Sequence, residues 1–417
     1  MKSALLLLLL YRAVRRLRRL LWCALCAFSA CGQGPTWHGD IAPIVERSCS
    51  GCHAFDAASA TRQATRIAEM VTSGRMPPWL PDDTVRYSND PRPTAAERAL
   101  IQSWARDPEL GTPRPRALQA VGELYEGEPY APGDRDEIRC FLLRPRPGFF
   151  SGYRWTGAGA HHFQADVVPA SSALVADAKG GARGWDCAAA QYDLPNKTGL
   201  ISTNPAVPYR YPAGYGVELA DGDALVLYVH LTPQADRSPR RFGIALEYGP
   251  PGMPVVAVGY NAPSEVPCPP ALAGQPQCQR EWARARALLG AGLPTPEEQV
   301  ARCGPQTFEP SADGRSMIVR SRCRSDLPPG RWRVLGVRAH MHLAGMSATI
   351  TSGGRALLRI PRWDYRFEDT YAPVEPIELG PDATIECTWA AGSRYHTFEL
   401  GRDGEMCVGS VTLGALP

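Results

Sequence analysis

From about residue 118 to the C-terminus, apolar and polar residues alternate in short runs separated by Gly and Pro. "EIRCFLLRP", "HHFQADVVP", "ALVLYVHL", "RFGIALEYG" and "PVVAVGY" form a first series. "SMIVRSRC", "RWRVLGVRAHMH", "SATITSG", "IELGPDATIECTWA" and "EMCVGSVTL" form a second, from about 305. A period of two with frequent turns predicts strands, and two series predict two antiparallel β-sandwiches in tandem, 118–258 and 259–417. Between them, 261–304 reads as an insertion with a helix-like "QREWARARALLGAG". Residues 36–112 follow a different period. "ASATRQATRIAEMVTSG" and "PTAAERALIQSWARD" read as short amphipathic helices, the second opened by a Thr94/Glu97 capping box. "GTPRPR" then acts as a stiff linker. The expected fold is mostly β, preceded by a small all-α domain.

Composition agrees. Forty Gly and forty Pro suit a turn-rich β chain, and 417 residues are too many for one core. A net charge of +3 implies no nucleic-acid partner. Residues 1–31 read as an export signal: a basic "YRAVRRLRRL" followed by an apolar "LWCALCAFSA". "FSAC" before Gly32 resembles a bacterial lipobox, in which Cys31 is lipidated; plain cleavage and an uncleaved anchor are the alternatives. The expected location is the periplasm or the outer surface, with membrane attachment through Cys31. Thirteen cysteines fit export. Once the signal, Cys31 and a CxxC are set aside, eight remain, an even number that points to disulfides in an oxidising compartment.

The CxxC lies in "CSGCH": Cys49, Cys52 and His53. Two thiols at this spacing can each form a thioether to one haem, and the next residue supplies an axial imidazole. A zinc half-site would call for a second CxxC, and none follows. Met76 in "GRMPPW" is the expected sixth ligand, because two prolines present its thioether on an extended loop; Met70 falls inside a helical run. Together, "IAPIVERSCSGCH", "MPPW" and a last helix with Trp104 resemble the small cytochrome c domains that precede bacterial copper oxygenase modules.

Five of the other seven histidines fall in three strand-like places: His161 and His162, His230, and His340 and His342. His340 and His342 share a strand face and can reach one ion. The adjacent pair can do so only where a strand ends or bulges. A lone histidine is ordinarily a solvated or hydrogen-bonded one, but five in this pattern point to metal. Met406 in "DGEMCVG" adds a thioether, which favours copper over zinc.

In this order, the His-His pair, the V-H strand, the H-x-H and the E-M-C resemble the copper type II, ascorbate-dependent monooxygenases, the family of peptidylglycine alpha-hydroxylating and dopamine beta-monooxygenases. The resemblance covers about 118–417. It implies two jelly-roll domains with one copper each. His161, His162 and His230 would pass an electron; His340, His342 and Met406 would bind O2 and hydroxylate a C–H bond. It also implies Cys140–Cys187 and Cys387–Cys407 disulfides. Cys303–Cys323 and Cys268–Cys278 are paired by proximity alone. Arg338 matches an arginine that grips a substrate carboxylate in the peptide-amidating member; a strand-edge surface charge is its other reading. Val408, Gly409 and Ser410 depart from the polar residues expected after the Met-Cys, which argues against a peptidylglycine substrate, and Phe163 replaces the family's usual Met.

The expected function is therefore an exported monooxygenase using two copper ions and haem c. Its partners would be a small-molecule substrate, O2 and an electron donor, either an ascorbate-like reductant or a periplasmic redox protein. The alternatives are a non-catalytic haem/copper electron-transfer or copper-carrying protein, and a zinc or structural module. His396 reads as a surface residue or as outer support for the copper, and His38 receives no role.

Overall fold

The computed structural model describes residues 34–49, 53, 55–113, 122–157, 159–172, 175, 183–186, 200–202, 208–231, 237–287 and 294–416. The signal, Cys31, Cys52 and Cys187 lie outside them. The described chain is mostly β, arranged in several sheets. No helix among the described residues is long and apolar enough to cross a membrane.

Two compact units emerge, and the early helical segment contributes to both. One unit takes the described residues through 46, together with 55–75 and 93–113. It holds most of α1 (Ala42–Cys49), α2 (Ala57–Arg62), α3 (Ala64–Thr72) and α4 (Ala95–Trp104). The capping box at Thr94 and Glu97 forms as expected. The helix expected over 58–74 is instead two, with the break at Gln63 (φ −110°, ψ 11°). Just before it, the Thr61 hydroxyl bonds back to the Ala57 carbonyl, a competitor to regular helix. Trp104 is fully buried against Trp37, at 5.7 Å between ring centres.

The other unit comprises the described residues among 47–54, 76–92 and 116–416. One five-stranded sheet runs β5 (Trp185–Asp186), β2 (Glu137–Leu143), β9 (Ala224–Leu231), β4 (His162–Val168), β6 (Leu200–Ser202). A second runs β12 (Thr307–Pro310), β13 (Met317–Ser325), β18 (Ala383–Ala390), β15 (Gly345–Ser352), β16 (Arg355–Ile360). A long third sheet begins with β1 (Glu123–Glu126), β10 (Gly243–Gly249), β3 (Gly148–Thr156) and β8 (Tyr215–Leu219), with β7 (Tyr209–Arg210) also on β3. It continues through β11 (Met253–Asn261), β19 (Val408–Ala415), β14 (Trp332–His340) and β17 (Ile377–Glu378). The junction is a two-residue parallel pairing of β8 with β11. The "PVVAVGY" strand, expected to end the first series, thus pairs along its length with β19 of the second.

Strand alternation decides what faces where. On β9, Leu225, Leu227, Val229 and Leu231 enter one core with Phe163, Trp155 and Phe242. Val226 and Tyr228 face the other way, into a cluster with Ile138, Phe398, Leu400 and Met406. His230 shares this second parity. On β14, Val337 and Ala339 enter the C-terminal core, and Arg338 and His340 take the opposite side. In the inserted segment only Arg280–Arg284 of the expected helix is helical among the described residues (α5). An unanticipated helix, α6 (Pro296–Cys303), follows, opened by a Thr295/Glu298 capping box.

Disulfides join Cys268 to Cys278, Cys303 to Cys323 and Cys387 to Cys407, as expected, and Cys140 is also disulfide-bonded. They belong to an oxidising compartment.

Candidate metal centre

His162 opens β4 and lies directly across from His230 on β9. His162 Nε2 and His230 Nδ1 are 3.1 Å apart. His161 precedes the strand, and its backbone N–H donates to the His230 carbonyl at 2.7 Å. Leaving the strand there frees its side chain from alternation. The three imidazoles consequently bring ligand atoms within 4.8 Å of one another.

His340 ends β14, and His342 lies beyond the strand rather than on it. Their Nε2 atoms nevertheless approach to 3.2 Å. Each Nδ1 has an acceptor: Glu368 for His340, at 2.7 and 2.8 Å, and the Gly404 carbonyl for His342, at 3.2 Å. A carbonyl oxygen only accepts, as does an ionised carboxylate, so both Nδ1 atoms carry the proton. Both Nε2 atoms of the neutral rings therefore present lone pairs to each other in a buried site. Two lone pairs at this distance repel unless a cation lies between them. Ligands ~2.0–2.1 Å from a tetrahedral ion lie roughly 3.3 Å apart, close to the spacing seen. A histidine donating its second nitrogen to a carboxylate or carbonyl is the usual support of a metal-bound imidazole. The donor set fits a transition metal, with nitrogen ligands suited to copper or zinc.

The two groups form one cluster. The rings of His162 and His340 are centred 5.5 Å apart. Glu368, fully buried, also stands 3.6 Å from His161 Nε2 and 3.4 Å from Arg338. The Tyr365 ring lies over His161 at 3.8 Å and near His342 at 5.8 Å. Sequence reading missed both Glu368 and Tyr365. They sit on a short 3-10 turn and the residue after it, where no periodicity marks them.

Burial drives His230 down to about 3, with His161 adding to the effect. Burial likewise holds His162 and His342 well below the ordinary imidazole value, and lowers His340 against the pull of Glu368. These rings are neutral at pH 7, the form that binds metal. Burial alone would raise Glu368. The electrostatic pull of His340 and its hydrogen bond prevail, with His161 nearby at 3.6 Å, and hold it well below the usual carboxylate range.

Met406 is buried beside Ile138, Tyr228, Phe398 and Leu400. Its neighbours in sequence reach His342: Gly404 through its carbonyl, and Glu405 through a carboxylate that accepts from the His342 N–H at 3.0 Å. Glu405 also accepts from Ala344 and from Trp389 Nε1, which stitches the E-M-C segment to the turn after β14. Arg338 is not a surface charge: it is 6% exposed and paired with Glu368. Nor is His396 on the surface. It is buried, and its ring nitrogen bonds the Asp403 carbonyl at 2.8 Å, bracing the loop that leads to Gly404. Phe163 stacks on Trp155 in the core, at 5.4 Å.

A separate cavity of about 250 Å³ is lined by Cys49, His53 and Met76, the described members of the expected haem set. Pro77, Pro78, Trp79, Leu80, Phe367 and Tyr371 give it apolar walls. Thiol, imidazole and thioether on one apolar cavity fit a c-type haem.

No family model matches the chain, and no curated protein does. Among solved structures it is similar to the major capsid protein P2 of bacteriophage PM2, at 9% identity and a TM-score of 0.26, over 71% of this chain and 98% of that one. It is also similar to the VP2 subviral particle of infectious bursal disease virus, at 9% identity and a TM-score of 0.15, over 84% of this chain and 77% of that one. Procruciferin, the 11S globulin of Brassica napus, follows at 9% identity and a TM-score of 0.13, over 71% and 85%. Likenesses this weak carry no argument about function.

Proposed function

We propose that the chain is an exported copper-dependent monooxygenase of the ascorbate-dependent type, with two sandwich domains of jelly-roll kind behind a cytochrome c domain. The observation that carries it is the 3.2 Å approach of two Nε2 lone pairs whose Nδ1 protons are already committed to Glu368 and Gly404. Bound copper would supply one-electron redox chemistry and an open position for O2. Hydroxylation of a C–H bond consumes one O2, two electrons and two protons, and yields the alcohol and one water. His161, His162 and His230 would hold one copper, and His340 and His342, with Met406, the other. Glu368 fixes the His340 tautomer, and Arg338 balances its charge. Haem on Cys49, Cys52, His53 and Met76 would admit electrons from an ascorbate-like reductant or a redox protein.

A second reading is a haem/copper electron-transfer protein without a substrate. It is favoured by Met406 lying among apolar side chains and by Arg338 being engaged with Glu368. Metal analysis should find about one iron and about two copper per chain. Oxygen uptake coupled to a hydroxylated product, from a panel of small organic substrates with ascorbate, separates the two readings. Copper-loaded protein that cycles electrons but never yields such a product would support the second.

A further inference from the structure

We infer that the segment Tyr365–Tyr371 is an electron bridge between the cavity of Cys49, His53 and Met76 and the imidazole cluster. The inference rests on the proposal that haem c fills the first and copper the second.

The geometry lies in which way successive side chains point. Arg366, Phe367, Asp369 and Tyr371 line the cavity. Glu368, between two of them, points the opposite way and bonds His340 at 2.7 Å, 3.6 Å from His161. Its backbone is extended (φ −70°, ψ 146°), close to polyproline II, where each side chain turns by about 120° from the last, so Glu368 leaves the cavity side on which Phe367 and Asp369 lie. Tyr365, at the start of the segment, lies on the His161 ring. The other end is pinned to the metal-bearing strand: Val337 and Tyr371 exchange two backbone hydrogen bonds of 2.9 Å, three residues before His340. From the cavity wall at Phe367 or Asp369, the route to His340 is a single peptide step, one side chain and one hydrogen bond. Electron tunnelling decays far less along bonded and hydrogen-bonded atoms than across gaps, so this is a short electronic connection.

The step is a single-electron exchange. Iron is oxidised from ferrous to ferric as copper is reduced from Cu(II) to Cu(I). No covalent bond forms or breaks, and the proton on His340 Nδ1 stays in its hydrogen bond to Glu368. Glu368 is a positioning residue here, since it acts through His340.

The test uses the full holoprotein with ferrous haem and Cu(II), mixed anaerobically, following the haem α band. Expected is first-order haem oxidation at a rate independent of protein concentration. Glu368→Ala should slow it at least tenfold at saturating copper, with the ferrous haem spectrum unchanged. Glu368→Gln keeps an acceptor oxygen and should restore most of the rate. A wild-type rate in Glu368→Ala overturns the bridge, as does transfer that scales with protein concentration. Should Glu368→Ala fail to fold, Glu368→Gln still decides. In that variant first-order transfer should persist near the wild-type rate, and a slowing of tenfold or more at saturating copper overturns the proposal. Folded protein without iron or copper refutes the parent reading and the bridge with it; both metals bound without intramolecular transfer refutes the bridge alone.

Discussion

Glu368 accepts a hydrogen bond from His340 Nδ1 at 2.7 Å, and the same carboxylate stands 3.6 Å from His161. One buried acid thus stands against the last imidazole of β14 and the imidazole that precedes β4. Holding the Nδ1 proton leaves Nε2 as the only lone pair on His340, aimed at His342. Glu368→Gln weakens that control, because an amide is a poorer acceptor and can present its NH₂ instead. Copper affinity should fall about 10–100-fold, the usual cost of losing such a support. Competition against a chelator of known affinity measures it; an unchanged affinity would remove Glu368 from the site.

The metal-free protein should lose stability in acid. His230, at about 3 in the fold, lies far below the ordinary imidazole value, and His162, His340 and His342 are lowered too. A depressed pKa contributes stability that is fully present above the unfolded value, near ~6.5, and lost as pH falls toward the folded one. Each such ring costs the fold about 1.4 kcal/mol per pH unit below that value. Glu405 acts in the opposite sense. Burial raises it to about 7, so its contribution is lost as pH rises from ~4.3 through about 7. Four imidazoles outweigh one carboxyl, and the chelated protein should melt progressively lower from pH 6.5 to 4, taking up more than one proton on unfolding. A melting temperature flat over that range would mean the histidines are solvated.

Removing one ligand from each group should remove one copper, not both. His342→Ala deletes a lone pair that faces His340 and leaves His161, His162 and His230 in place; His230→Ala does the converse. Each variant, dialysed against limiting copper, should retain about one copper per chain. Loss of both ions from either variant would show that the 5.5 Å between His162 and His340 makes a single shared centre.

The strands and the histidines were legible in the sequence because each follows a local rule. Period-two alternation marks β9 and β14, and the H-x-H spacing survives even though His342 lies past the strand end, since its parity still matches His340. The adjacent His161 and His162 required a strand terminus, and β4 begins between them. What was not legible depends on long-range placement. Glu368 is 28 residues from His340, in an irregular segment, and a glutamate in such a place is ordinarily solvated. Arg338 and His396 were each readable as surface residues because only the tertiary structure buries them. The pairing of β11 with β19 is equally non-local: its alternation fits either series of strands.

The Cys387–Cys407 disulfide ties β18 to the residue that follows Met406. With Glu405 holding the His342 N–H, it anchors the E-M-C segment from both sides. Replacing both cysteines with Ser should cost about 2–5 kcal/mol of unfolding free energy in denaturant titration. It should also weaken copper binding, because Gly404 and Glu405 lose their fixed position against His342. A variant that is destabilised but binds copper with full affinity would separate the disulfide from the site.

Met406→Leu separates ligand from packing. The side chain sits among Ile138, Tyr228, Phe398 and Leu400, and leucine conserves both its volume and its apolar character. The fold should change by less than about 1.5 kcal/mol, whereas Met406→Ala should cost about 2–5 kcal/mol. If the sulfur ligates Cu(I), X-ray absorption of the reduced wild-type protein should show a sulfur neighbour that Met406→Leu lacks. Hydroxylation should then be lost with the haem spectrum intact. This requires the thioether to leave its apolar neighbours when copper binds, a local movement beside Glu405, whose carboxylate already bonds His342. The same copper spectrum in both proteins, with hydroxylation retained, would assign Met406 to packing alone and leave the His340–His342 pair to do the chemistry with Glu368 as its support.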